Sequence, residues 1–280
     1  MLQSESAVFS LILLLPPLFF YLLFKQNWVD RELRISFFTG LIWGTIAILF
    51  TRLLYVPVEM FLETDLRSFV AGPGPWWMTL LVSIGIIGFV EESMKAAGGL
   101  MASYQVSSSR RPAGLFMSFA GCALSFSLLE NVQYYMMFGV SVIIPRIIIS
   151  STAHLFFACL CAAMTTVALS RNKSDSVVSV RILSGIFMAT LAHGLFDFFV
   201  FHFDVQAVSG VIATFVALFL LGIYEAWIIV LKVDIPAETG LSACSGCGAF
   251  SIDRVRFCGF CGSRVIYTRT DLSCKISSEN

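Results

Sequence analysis

Seven stretches of this chain are apolar for 18 residues or more: 7–24, 36–56, 76–100, 113–138, 140–169, 182–201 and 205–231. Each is long enough, as a helix rising about 1.5 Å per residue, to cross all or most of a bilayer's hydrocarbon core. Hydrophobic residues make up 58% of the 280 residues and charged residues 13%. A soluble fold of this length has no place to bury so much apolar surface. The expected fold is therefore an all-α polytopic membrane protein with about seven transmembrane helices, and the lipid bilayer is its first partner. The net charge of zero gives no electrostatic case for a nucleic-acid partner.

The first stretch has no basic residue before it, contains Pro16-Pro17 and lacks a small-residue cleavage site. It reads as a first spanning helix rather than a removable signal peptide. The basic residues of the connections support the count. Lys25, Arg31 and Arg34 follow the first stretch, Arg110 and Arg111 the third, and Arg171, Lys173 and Arg181 the fifth. Arg52, at the end of the second, and Arg67, in the loop after it, are offset by Glu59, Glu63 and Asp65. The alternation places the N-terminus outside and the C-terminus in the cytosol, most naturally in the plasma membrane. Pro145 and the Gly-Pro-Gly-Pro run at 72–75 are the expected points of irregularity.

Residues 1–232 form the membrane domain on this reading, followed by a linker at 233–240, a cysteine module at 241–270 and a tail at 271–280. In the module, Cys244 and Cys247 form one Cys-x-x-Cys pair, and Cys258 and Cys261 another. Two such pairs close a tetrahedral, four-thiolate structural zinc site, a zinc ribbon, with no open position for chemistry. Disulfides are the alternative, which a reducing cytosol disfavours. A rubredoxin-type iron site is the other, and the short spacer here argues against it. The module suits docking to a cytosolic partner. Cys122, Cys159, Cys161 and Cys274 read as packing residues or bystanders.

Charges inside the apolar stretches are the functional signal. Each costs about 2.5–3.5 kcal/mol on insertion scales and persists only when it faces a protein interior or a watery cavity. Glu91 and Glu92 stand side by side in the third stretch, with Lys95 one turn on. An intrahelical Glu91–Lys95 pair would explain one carboxylate and leave the other unpaired. Glu130 and Asn131 lie in the fourth stretch, where the amide alone would pass as helix–helix glue. Arg146 and His154 lie in the fifth, and His193 and Asp197, four apart on one helix face, in the sixth. A lone core histidine is usually structural, but two of them facing three acids are not so easily dismissed. His202 ends its stretch and reads as interfacial. Glu91, Glu130, His154 and His193 all fall inside their spans, so four helices can present them at about one depth.

This set suits hydrolysis. One of Glu91 and Glu92 can deprotonate a water, with Lys95 nearby to hold the other in a different protonation state. Glu130, His154 and His193 either bind a catalytic zinc, matching the ligand count of a site with an open position, or supply oxyanion donors. Asp197 can orient His193 through its ring N–H. No Gly-x-Ser-x-Gly elbow or Ser–Lys arrangement stands out. Two other classes compete. An ion- or proton-coupled transporter uses buried acids and histidines as a relay, but no internal repeat is visible. A catalytically dead membrane adaptor would not need the intact acid–histidine set.

Glu91-Glu92-Ser-Met-Lys95 fits EExxK, Phe126-Ser-Leu-Leu-Glu130-Asn131 fits FxxxEN, and His193-Gly-Leu-Phe-Asp197 fits HxxxD. With Arg146 and His154 between them, the pattern over Gly88 to Asp197 resembles the PrsW family of intramembrane proteases. That family is distantly similar to the type II CAAX prenyl proteases, whose corresponding motif has a histidine where this chain has Glu130. The resemblance implies a membrane-embedded peptidase, metallo- or glutamate-type, that cuts a membrane-anchored protein, the best-known substrate being an anti-sigma factor in a stress response. The cysteine module lies outside the matched stretch.

Overall fold

The computed structural model describes residues 17–18, 21, 30–106, 112–170, 175–202, 218–228 and 230, together with the strand residues 242–243 and 250–251. The chain divides into two units, Met1–Asp234 and Ile235–Asn280. The regular elements among the first unit's described residues are helices: α1 (Arg31–Leu62), α2 (Leu66–Ala71), α3 (Trp76–Val82), a π-helical turn (Ser83–Gly88), α4 (Phe89–Gln105), α5 (Pro112–Phe138), α6 (Val140–Ser170) and α7 (Asp175–His202). A shorter apolar helix, α8, covers Leu218–Ile228. In the second unit, Ser242 pairs with Ser251 and Ala243 with Phe250 in a two-stranded antiparallel ladder.

Five helices among the described residues are long and apolar enough to cross a membrane: Arg31–Leu62, Trp76–Gln105, Pro112–Phe138, Arg146–Val167 and Val178–Phe201. They correspond to the second to sixth expected spans. The first, 7–24, lies almost wholly outside the described residues, and the seventh, 205–231, is described only in part. The four zinc-ribbon cysteines Cys244, Cys247, Cys258 and Cys261 also lie outside them.

α5 is the central helix. In its apolar window 83% of residues are buried, against 28% for α1. α1 instead exposes Phe38, Ile42, Leu49, Phe50 and Leu53, the lipid-facing side that a spanning helix must keep apolar. Between α1 and α5 there is no hydrophobic force stronger than lipid itself supplies, so association relies on close backbone approach. Gly40 and Gly44 provide it, one turn apart on α1. A Cβ at Gly40 would stand 2.2 Å from the Ser118 carbonyl oxygen, and one at Gly44 2.2 Å from that of Cys122. Around this seam, Leu33 and Phe37 of α1, Phe116 and Phe119 of α5, Leu155 and Cys159 of α6, and Trp227 of α8 close one core cluster.

Two irregularities position the polar residues. Glu63 ends α1 in the left-handed region at φ 55°. The chain then turns into α2, whose first turn is capped by Asp65 accepting from the Ser68 amide at 2.9 Å. Gly72 to Pro75 break the chain again before α3, where irregularity was expected. The second is the π turn at Ser83–Gly88, directly before Glu91 and Glu92 and packed against α7. Such turns insert one extra residue into a helix and recur at functional sites. Pro145 was expected to mark a break, yet α6 runs through it without one.

Candidate active site

α4 supplies Glu91, Glu92 and Lys95, and all three are at most 2% exposed. From them a network of side-chain contacts runs into α5, α6 and α7. Glu92 Oε1 lies 2.5 Å from Lys95 Nζ and 2.6 Å from His193 Nδ1 on α7. Lys95 Nζ is also 2.9 Å from His154 Nδ1 on α6. His154 Nε2 is 2.7 Å from Glu130 Oε2 on α5. His193 Nε2 lies 3.4 Å from Asp197 Oδ2 and 3.8 Å from Glu91 Oε2. All seven residues singled out from the sequence therefore share one connected network, and the two imidazole rings stand 5.2 Å apart, edge to face.

One proton assignment satisfies the network. Lys95 donates to Glu92 and to the His154 Nδ1 lone pair, His154 donates from Nε2 to Glu130, and His193 donates from Nδ1 to Glu92. Glu92, rather than Asp197, thus makes the shorter contact that orients His193. His193 Nε2 then faces two carboxylates, Glu91 and Asp197, a juxtaposition that a proton or a cation between them relieves.

Glu130 is held from both sides. Arg67 of α2 donates to Oε1 at 2.8 Å, and Arg146 of α6 donates to Oε2 at 2.9 Å. Both guanidinium groups also lie against the ring of Tyr134, at 4.7 and 3.3 Å from its centroid. A buried carboxylate between two cations is the arrangement that makes its charge tolerable. The same contacts commit both oxygens of Glu130. Asn131, beside it, donates to Ser151 Oγ at 3.0 Å and ties α5 to α6.

Glu91 differs from its neighbours. Its Oε1 accepts from the Tyr55 hydroxyl of α1 at 3.1 Å and lies 3.8 Å from Arg67. Its Oε2 is buried without a hydrogen-bond partner. One donor atom each from Glu91, His154 and His193 lie within 4.8 Å of one another. An orphaned carboxylate oxygen beside two imidazoles fits a divalent metal with N/O preference. Glu130 was expected as the third member of that set; among the described residues Glu91 stands there, while Glu130 orients His154 from behind. Through Nδ1, His154 can hold a metal only in competition with the Lys95 ammonium.

Two participants, Arg67 and Tyr55, lie outside the sequence reading, and a third, Arg146, enters it without its partner. Arg67 was counted as a loop charge, although Asp65 as an N-cap before an apolar turn signals the short helix that buries it. Tyr55 carried no local signal at all. Arg146 was noted beside His154, but its grip on Glu130 depends on how α5 and α6 pack.

These observations define a polytopic helical membrane protein built round a buried carboxylate–imidazole centre. The profile of the PrsW family intramembrane metalloprotease matches residues 35–223, which include every residue of that centre. The chain belongs to this family and is an integral membrane protein. It is 26% identical over 140 residues to the Protease PrsW of Shouchella clausii (strain KSM-K16), an alignment covering 50% of this chain and 64% of that protein. No solved structure matches the chain. Family membership weighs against the transporter alternative.

Proposed function

We propose that the protein is an intramembrane endopeptidase that hydrolyses a membrane-anchored protein at the Glu91/Glu92/His154/His193 centre. The observation that carries this is the free Oε2 of Glu91, fully buried and 3.8 Å from His193 Nε2, in a carboxylate that shares a possible metal-ligand set with His193 and His154 on two other helices. Glu91, His154 and His193 are the residues that would hold a zinc ion, whose chemistry is to polarise the scissile carbonyl and acidify a bound water. Glu92 is the proton acceptor. Its carboxylate is fixed between Lys95 and His193, within the same small volume, and a carboxylate there can pass the proton to the leaving amine. Glu130 orients His154 and Glu92 orients His193, and the helices around them keep bulk water out of the centre.

The substrate class follows from location: a scissile bond must come to a site enclosed by spanning helices, which favours a single-span protein such as an anti-sigma factor. Cys244, Cys247, Cys258 and Cys261 form a structural zinc ribbon on the cytosolic side, where it docks a soluble partner, and the N-terminus lies outside. In proteoliposomes holding a single-span substrate, cleavage should stop with a zinc chelator and return with added zinc. Cleavage unaffected by exhaustive chelation would remove the metal from this reading.

A further inference from the structure

Tyr55 sits on α1, 36 residues before Glu91 and outside every motif that marks the centre. It is 1% exposed. Its hydroxyl has one proton to give and two acceptors in reach: the Ile87 carbonyl at 3.3 Å and Glu91 Oε1 at 3.1 Å. The carboxylate is both nearer and the stronger acceptor. Arg67, 3.8 Å away, pulls on the same oxygen. Both outside contacts on Glu91 therefore fall on Oε1, and the oxygen left without a partner is the one 3.8 Å from His193 Nε2.

A carboxylate free to rotate would turn its orphaned oxygen toward a donor, since an unsatisfied buried acceptor is costly. We infer that Tyr55 is a positioning residue, holding the Glu91 carboxylate so that Oε2 stays directed at His193, within the cluster that His154 completes. The inference rests on the proposal that Glu91, His154 and His193 together hold a metal ion. Partners standing behind a metal ligand fix its orientation, and losing one costs about 10- to 100-fold in metal affinity or activity.

Tyr55→Phe keeps the ring and its packing and removes only the hydroxyl. Zinc affinity is measured by chelator competition on the full-length protein in detergent, with His193→Ala defining zinc held elsewhere in the chain. Tyr55→Phe should bind zinc at the centre about 10- to 100-fold more weakly than wild type. Cleavage should fall at limiting zinc and recover in excess, with the KM for a single-span substrate unchanged. A purely structural role would lower the melting temperature and leave the affinity of the folded fraction where it was, which would overturn the inference. Equal zinc affinity in Tyr55→Phe and a zinc-binding wild type would overturn it alone. A wild type holding no more zinc than His193→Ala would overturn the metal reading and the inference together.

Discussion

His193 and Glu92 lie 101 residues apart in sequence and 2.6 Å apart in space, ring Nδ1 to carboxylate Oε1. The contact joins α7 to α4 and makes Glu92 the residue that sets which face His193 turns to Glu91. Glu92→Gln and His193→Ala should each lower cleavage by about 100-fold or more, the range of a lost proton acceptor or its partner. Gln preserves size and its amide oxygen can still accept from Lys95, so the ammonium keeps a hydrogen-bond partner. Phe50→Ala, on the lipid-facing side of α1 at 55% exposure, should retain full activity. Rates on a single-span substrate in proteoliposomes decide the matter.

Glu130 should matter for stability as much as for chemistry. Glu130→Ala takes the carboxylate from Arg146 and leaves Arg67 only its 3.8 Å contact with Glu91, and breaking a buried ion pair from one side costs about 3–5 kcal/mol. A clear fall in the thermal unfolding midpoint in detergent is expected. Replacing Arg146, which is more exposed at 12%, should cost less than replacing Arg67 at 5%.

How much of this was legible in the sequence differs by element. Glu91, Glu92, Glu130, His154 and His193 announced themselves because a charge or imidazole in an apolar span has no cheap explanation. Their convergence could be guessed from depth alone, since each sits inside its own span. What depth cannot give is rotation about each helix axis, so the partners of each group stayed open. Asp197 is spaced to meet His193, yet Glu92 comes closer. Arg67 was hidden for another reason: six residues of helix between two breaks leave no periodicity to read. The Gly40–Gly44 pair shows its purpose only once α5 lies against it.

That seam is testable by itself. Gly44→Ala would put a methyl group 2.2 Å from the Cys122 carbonyl oxygen, forcing α1 and α5 apart. Overpacking of this kind costs about 1–3 kcal/mol. Gly74→Ala, with nothing within 4 Å of the new Cβ, should leave the unfolding midpoint in place.

The cysteine module gives a separate count. Full-length protein with Cys244, Cys247, Cys258 and Cys261 all changed to Ser should carry one zinc fewer than wild type. Its chemistry should persist, because a four-thiolate site has no open coordination position. Unchanged zinc content would remove the zinc ribbon.

The most direct test is cleavage by the Glu91→Gln/Glu92→Gln double variant in proteoliposomes with a single-span substrate. Gln keeps the size and hydrogen-bonding reach of each side chain but cannot accept a proton from water at neutral pH. The expected result is a folded, membrane-inserted protein with no cleavage above the substrate's own background, beside an active wild type. Cleavage by the double variant at near the wild-type rate would contradict a carboxylate-based intramembrane hydrolysis.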